Sequence, residues 1–234
     1  MAKRAAIIDL RKALSERFPE RPVRSASAFF TGLHLLDRIG GLPKNALTEL
    51  IAPRISAGSA SLIHAILKSA QQNGQFVALI DGTDSFDPAS SNNSALRHLL
   101  WIRCRKTFDA IKAADLLLRD GNFPLVIVDL ALNAPEEMRK IPQTSWYRLQ
   151  RLVEAAPTAC LVINRQSMVS SAQLKIILEN SWTLATLEEN NPLSHLRFRI
   201  QRSHVGRDIA LQHQSGSDCP DGAAQCSCLI ANAN

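Results

Sequence analysis

Two kinds of apolar segment alternate along the chain from Leu47 onward. Short apolar runs predict buried strands, and they cover Leu47–Ile51, Phe76–Asp81, Leu99–Cys104, Pro124–Leu130 and Ala159–Asn164. The segments between them repeat apolar residues at helical spacing and predict helices over Ser61–Asn73, Ser94–His98, Thr107–Asp120 and Trp146–Ala156. Strands that alternate with helices indicate an α/β fold, in which helices flank a mostly parallel sheet.

The pattern differs at the two ends of the chain. Near the N-terminus the apolar residues share one face of a predicted helix that ends before Pro19; these residues are Ile7, Leu10, Leu14 and Phe18. After Leu178 the segments SWTLATL, LRFRIQRS and RDIALQH predict antiparallel strands at one edge of the sheet. The polar residues from Gln214 predict a disordered tail. We therefore divide the chain into an arm (1–28), a core (29–213) and a tail (214–234).

Composition narrows the class of protein. Lys and Arg exceed Asp and Glu by 27 to 21, which gives a net charge of +6 and a pI of about 9.3. This balance suits an anionic partner such as nucleic acid, but it also suits an ordinary solvated surface. No apolar run is long enough to span a membrane and no signal-peptide pattern precedes the core, so we expect a cytoplasmic protein.

The five cysteines predict no metal site. Two lie in apolar segments and are expected to be reduced core residues, Cys104 and Cys160. The other three lie in the polar tail without a CxxC pair, which is poor spacing for zinc: Cys219, Cys226 and Cys228.

One stretch, TELIAPRISAGSASLIHAIL, places a small-residue loop between a predicted strand and a predicted helix. Phosphate-binding loops of the pattern G-x-x-x-x-G-K-[ST] occupy the same place and bind phosphates through backbone N–H groups. Here Ala52, followed by Pro53, replaces the first glycine, and the loop to Gly58 is one residue longer than the pattern. The loop is therefore a degenerate form of the motif.

The side chains that neutralise a triphosphate are also missing from this stretch. Ser59 stands at the lysine position and Ala60 at the Ser/Thr position that binds Mg²⁺. Ser61 follows one residue late, and about 100° of helical rotation turns its hydroxyl away from the metal. A helix N-terminus alone binds anions weakly. The sequence therefore predicts no ATP, no Mg²⁺ and no other cofactor.

Three segments, TGLHLLDRIGGLPKNALTELIAP, LIDGTDSFDPAS and PLVIVDL, occur in the same order as in the RecA recombinase family. The chain resembles that family from about Ala6 to Gln212, and the resemblance implies a RecA-like fold. Within it, AADLLL, LLWIRC and SWYRLQRLVEAAPTACLVIN are similar to ImuA, a RecA-like accessory protein of bacterial mutagenic translesion synthesis.

The resemblance also identifies what has been lost. It matches Asp129 to the Walker B aspartate, although an aspartate at a strand end equally often caps a turn. It matches Thr83 to the glutamate that orients the attacking water in RecA, and the neighbouring Asp84 is shorter and one position displaced. Together with Ser59 and Ala60, these departures imply that the chain is not an enzyme.

The loops that grip single-stranded DNA in RecA look shortened here, so strand exchange is not expected. Five basic residues remain as candidate phosphate contacts for weak DNA binding, with a solvated basic surface as the alternative: Arg139, Lys140, Arg165, Arg197 and Arg199.

These observations predict a catalytically inactive RecA-like scaffold or regulator in bacterial DNA-damage tolerance. The resemblance implies two partners, RecA itself and ImuB, an inactive homologue of Y-family polymerases. The N-terminal helix is expected to dock either on its own core or in trans, on RecA or on a second copy, which would make the protein a homo-oligomer. Two alternatives remain: a SulA-like inhibitor that binds the division protein FtsZ, and an ATPase with an unusual loop.

Overall fold

A computed structural model describes residues 28–183, 185–186 and 192–203. The apolar face of the predicted N-terminal helix (Ile7, Leu10, Leu14 and Phe18), the strand expected over RDIALQH and the tail 214–234 lie outside the described residues.

A seven-stranded sheet forms the centre of the described structure. Its strands are β3 (Ala46–Ile51), β4 (Val77–Asp81), β5 (Leu99–Arg103), β6 (Leu125–Asp129), β7 (Ala159–Asn164), β8 (Leu174–Leu178) and β9 (Phe198–Ser203). They lie in the order β5-β4-β6-β7-β3-β8-β9, and all neighbouring strands are parallel except β8 and β9, which are antiparallel. The predicted α/β fold with an antiparallel edge is confirmed.

Helices cover both faces of the sheet. They are α1 (His34–Arg38), α2 (Ser59–Gln72), α3 (Asn93–Leu96), α4 (Thr107–Asp120), α5 (Pro135–Met138) and α6 (Gln143–Glu154). Gly121 ends α4 in the left-handed conformation (φ 70°), which explains why the predicted boundary of this helix is correct.

The prediction of a strand over SWTLATL was wrong. Residues 181–183 are irregular, and a 3₁₀ helix over Pro192–His195 precedes β9. Alternating apolar residues suggested a strand here, but among the residues of this segment that the structure describes, Trp182 alone is buried, at 8% exposed.

The sheet is buried on both faces because each face supplies one hydrophobic core. On one face α2 packs over residues such as Leu50 and Ile127, and on the other face α4 and α6 pack over residues such as Val126. Strand β6 is apolar at both kinds of position for this reason, which is why it appears as an unbroken apolar run.

A second, two-stranded sheet lies before the main one. Strand β1 (Ala28–Phe29) pairs antiparallel with β2 (Leu42–Pro43), and Phe29 is buried in the core of the same chain. Ala28, the last residue of the predicted arm, therefore pairs within its own chain.

Parallel pairing brings the carboxyl ends of four strands to one edge of the sheet. In register there, Ile51 lies beside Asn164, and Asp81 lies beside Asp129. No helix among the described residues is long and apolar enough to cross a membrane.

Candidate functional site

The loop after β3 is held to the carboxyl edge of the sheet at its first residue, where the Ala52 N–H donates to the Asn164 carbonyl at 2.7 Å. A 3₁₀ turn over Ile55–Ala57 follows, and Gly58 then adopts the left-handed conformation with φ 91° and ψ 13°. Ile55 is 70% exposed at the tip of the loop. The strand–loop–helix arrangement predicted from the sequence is confirmed.

Helix α2 begins directly after Gly58, with Ser59, Ala60 and Ser61 as its first three residues. Within the part of the chain that the structure describes, no side chain caps this N-terminus, and its first turn contains no acidic residue. The N–H groups of a first turn lack partners within the helix, so they leave a weak positive end at the loop. No basic side chain from this turn adds to that charge.

Asp81 has a structural role at the end of β4. Its carboxylate is buried and accepts hydrogen bonds from the Thr83 N–H (3.3 Å), the Ser85 hydroxyl (3.3 Å), the Phe86 N–H (2.7 Å) and the Trp101 indole (3.4 Å). These bonds fold the loop after β4 back over the strand end.

Thr83 and Asp84, at and beside the position of the RecA glutamate, offer no free base. Thr83 is exposed and its N–H is bonded to Asp81. Asp84 (φ 58°) accepts two hydrogen bonds from the guanidinium of Arg103, one of 2.6 Å to Nη2. That bond to Arg103 lowers the pKa of Asp84, so its carboxylate is ionised and paired.

Asp129 lies beside Asp81 at the end of β6 and accepts a hydrogen bond from the Ala131 N–H at 3.0 Å. This is the turn-capping geometry that the sequence left as an alternative to a Walker B role. Burial, together with the nearby charge of Asp81, raises the pKa of Asp129 to about 6, although the hydrogen bond from the Ala131 N–H lowers it.

A cleft of about 250 Å³ opens beside the loop at the same edge of the sheet, between the segments that follow β6 and β7. Its lining includes Pro53, Leu130, Met138 and Met168, together with Arg139 and Arg165. Two of the five predicted phosphate contacts are thus brought together beside the first residues of the loop.

The other three basic candidates do not join this pair. Lys140 follows Arg139 on the exposed surface but does not line the cleft. Arg197 and Arg199 lie at β9, on the far edge of the sheet, where Arg199 pairs with Glu179 at 3.2 Å. The five residues therefore do not form one continuous surface.

Sequence reasoning missed a buried charge cluster under the cleft. Glu49 in β3 is fully buried and pairs with Lys175 of β8 at 2.7 Å. It also accepts hydrogen bonds from the Asn164 side chain (2.9 Å) and from the N–H groups of Met168 (2.6 Å) and Val169 (2.9 Å). The sequence did contain a signal for this pair: a single glutamate within LTELI and a single lysine within QLKIIL, each in a mostly apolar strand.

His64 on α2 is committed to neighbouring side chains. Its Nδ1 lies 2.6 Å from the Ser91 hydroxyl, its ring stacks on Phe86 at 5.1 Å, and partial burial lowers its pKa. Within the described ranges, no group of three or more His, Cys, Asp or Glu side chains is placed to hold a metal ion.

A protein family and several individual proteins are similar to this chain. The family model of the RecA N-terminal domain matches residues 6–140, more than half of the chain. Protein RecA of Bifidobacterium breve is 29% identical over 123 residues, which cover 50% of this chain and 31% of that protein. Protein RecA of Xanthomonas axonopodis pv. citri (strain 306) is 31% identical over 118 residues, 48% of this chain and 34% of that protein. The matched stretch spans about a third of the length of these curated relatives.

Proposed function

Because the chain belongs to the RecA N-terminal domain family, we propose that it acts in the bacterial response to DNA damage as a RecA-like scaffold or regulator and not as an ATPase. The finer proposal is a role like that of ImuA in mutagenic translesion synthesis. The partners would then be RecA itself and an ImuB-type homologue of Y-family polymerases.

The observation that carries this proposal is the N-terminus of α2, which receives the phosphates in a working loop of this kind. Ser59 and Ala60 occupy its first two positions and provide neither a cation nor a metal ligand in the usual place. Helix N–H groups alone leave most of the charge of a triphosphate uncompensated.

Two further observations support inactivity. The carboxylate of Asp84 is paired with Arg103, and that of Asp129 accepts the Ala131 N–H, so each has a structural partner. The exposed hydroxyl of Thr83 is a poor base at neutral pH. Attack by water on a γ-phosphate would therefore lack a base and charge stabilisation together.

The proposal is tested by presenting the purified full chain to three immobilised baits: RecA assembled on single-stranded DNA, an ImuB-type protein, and FtsZ. Retention by RecA or the ImuB-type protein, without ATP hydrolysis by the chain, supports the proposal. Retention by FtsZ alone would favour a SulA-like division inhibitor. ATP hydrolysis that disappears in Asp129→Asn would establish an ATPase and overturn the proposed inactivity.

A further inference from the structure

The cleft at the carboxyl edge of the sheet has an apolar interior. Leu130 and Met138 lie in its lining with exposed fractions of 1% and 5%, and Met168, Pro53 and Pro135 complete the apolar part. Methionine side chains are flexible and polarisable, so they adapt to apolar groups of different shapes. The volume of about 250 Å³ suits one or two apolar side chains of a partner.

The rim of the cleft is positively charged. Arg139 and Arg165 are both exposed, and neither guanidinium has an ion-pair or hydrogen-bond partner among the residues that the structure describes. Two unpaired guanidinium groups beside an apolar cavity favour carboxylate or phosphate groups, which each of them can bind with two parallel hydrogen bonds.

The loop that carries Arg165 is held in place before any partner binds. The side chain of Asn164, immediately before it, donates to the buried Glu49, and so do the N–H groups of Met168 and Val169 after it. Lys175 neutralises Glu49 at 2.7 Å. A fixed loop loses little conformational entropy on binding, which favours affinity.

The lining distinguishes between the two kinds of anionic partner. Single-stranded nucleic acid binds through bases stacked on aromatic side chains as well as through phosphate contacts. Among the described residues, no aromatic side chain lines the cleft; apart from the two arginines, the lining is aliphatic and thioether with two amides, Asn133 and Gln166. An apolar side chain flanked by carboxylates fits this combination better than a base flanked by phosphates.

We propose that this cleft is the docking site for a segment of a partner protein in which apolar side chains are flanked by acidic ones. The apolar side chains enter between Met138 and Met168, and the flanking carboxylates pair with Arg139 and Arg165. This inference deepens the proposed scaffold function and rests on it, because it requires a protein partner.

The methionines offer a direct measurement. The chain has three, and two of them line the cleft, Met138 and Met168, while Met1 lies outside the described residues. The full chain is labelled with ¹³C at the methionine methyl groups, and the signals are assigned with Met138→Leu and Met168→Leu. The probe is a short synthetic peptide with a Leu-Phe pair between two acidic residues on each side. We expect saturable shifts of both cleft methyl signals and none of Met1.

Variants of the peptide separate the apolar contribution to binding from the electrostatic one. Replacing the Leu-Phe pair by Ser-Ser, or the acidic residues by lysine, should weaken binding about tenfold or more, since each change removes one of the two interactions. The double variant Arg139→Glu with Arg165→Glu should weaken it at least as much. Arg151→Glu, at an exposed position on α6 away from the cleft, should leave it unchanged.

Three results would overturn the inference: no shift of the cleft methyl signals with the acidic peptide at millimolar concentration, equal binding of the Ser-Ser peptide, or tighter binding of a short oligothymidylate. The last would make the cleft a nucleic-acid site. If the cleft binds the peptide but neither RecA nor the ImuB-type bait retains the chain, the proposed function fails while the docking site stands. If a bait retains the double variant as well as the unaltered chain, the docking site fails and the scaffold function stands.

Discussion

The indole of Trp182 lies directly against Gly58. A Cβ atom added at Gly58 would lie 2.9 Å from Cη2 and 3.0 Å from Cζ2 of that ring. The backbone N–H of Trp182 also donates to the Ser56 carbonyl at 2.8 Å. The segment after β8 therefore holds the loop before α2 through both its backbone and the Trp182 ring. Gly58 is thus required both by its positive φ and by the approach of an aromatic ring.

We predict that Gly58→Ala destabilises the protein by about 1–3 kcal/mol, measured by urea unfolding, because it combines strain at φ 91° with the ring contact. Gly74→Ala is the matched control, since Gly74 also has a positive φ (63°) but no atom of the described residues lies within 4 Å of an added Cβ. Its cost should be the smaller of the two. Repeating Gly58→Ala in a Trp182→Leu background should reduce the cost; an unchanged cost would show that the ring contact contributes nothing.

The second prediction concerns ATP. A ligand at a hundred times its Kd stabilises a protein by about 2.7 kcal/mol. We expect no such increase with millimolar Mg-ATP, because the first turn of α2 offers neither a cation nor a metal ligand at the usual positions. Thermal unfolding with and without Mg-ATP is the measurement. Ser59→Lys with Ala60→Thr should not create hydrolysis, since Thr83 still provides no base; turnover by that variant would contradict this account.

The buried pair of Glu49 and Lys175 gives a prediction about stability. The Glu49 side chain is 0% exposed and that of Lys175 is 10% exposed. Lys175→Met should destabilise by about 3–5 kcal/mol, because it leaves a buried carboxylate without its counter-charge. The control is Arg199→Met, which breaks the exposed pair with Glu179 and should change the unfolding free energy by less than about 1 kcal/mol. Similar small effects of both substitutions would show that water reaches Glu49.

Asp129 gives a prediction about pH. Burial raises its pKa from 3.8 to about 6, so between these values the folded state binds more protons than the unfolded state. Stability from this group is therefore present below about pH 4 and is lost as the pH rises through 6. Asp129→Asn keeps an acceptor for the Ala131 N–H and should gain up to about 3 kcal/mol relative to the unaltered chain between pH 4 and pH 7.

The control for the pH dependence of Asp129→Asn is a variant at Asp87, whose pKa is lowered by hydrogen bonds from Ser90 and Ala89. Because its ionised form is favoured in the folded state, Asp87→Asn should lose stability at neutral pH and recover as the pH falls below the ordinary range of the carboxyl group. Urea unfolding across pH measures both variants. A difference for Asp129→Asn that does not change with pH would contradict the raised pKa.

The sequence predicted most of the sheet because β4, β6 and β7 are buried on both faces and are therefore apolar up to their last residue, while β3 is apolar except for Thr48 and Glu49. It also located the loop before α2, since small residues between a strand and a helix form a local pattern. Contacts between segments far apart in sequence were the ones it missed. Trp182 and Gly58 are more than a hundred residues apart, and only tertiary packing brings them together.

The candidate site shows the same limit. Arg139 and Arg165 were selected as separate basic residues, and their common cleft follows from the parallel order of β6 and β7. The roles of Asp84 and Asp129 could not be read from the sequence either. Each depends on one partner, Arg103 on the edge strand in the first case and the Ala131 N–H in the second.

The last prediction concerns the N-terminal arm, which we expect to dock in trans on RecA or on a second copy. Strand β5 offers a receiving edge, because it pairs with β4 on one side and with no described strand on the other. Leu100 of β5 and Leu116 of α4 are 39% and 67% exposed. Burial of the apolar face of the arm would contribute about 1.5–3 kcal/mol per side chain before ordering costs.

Deleting residues 1–26 keeps the pairing of Ala28 with Pro43 intact. It should abolish association, measured by sedimentation for the chain alone and by surface binding for RecA, while the melting temperature changes little. Leu10→Ser with Leu14→Ser should act like the deletion, and Lys12→Ser, off the apolar face, should not. If the deletion unfolds the core, the arm packs on its own chain; if association survives the deletion, another surface carries it. Either result would show that the arm does not dock in trans.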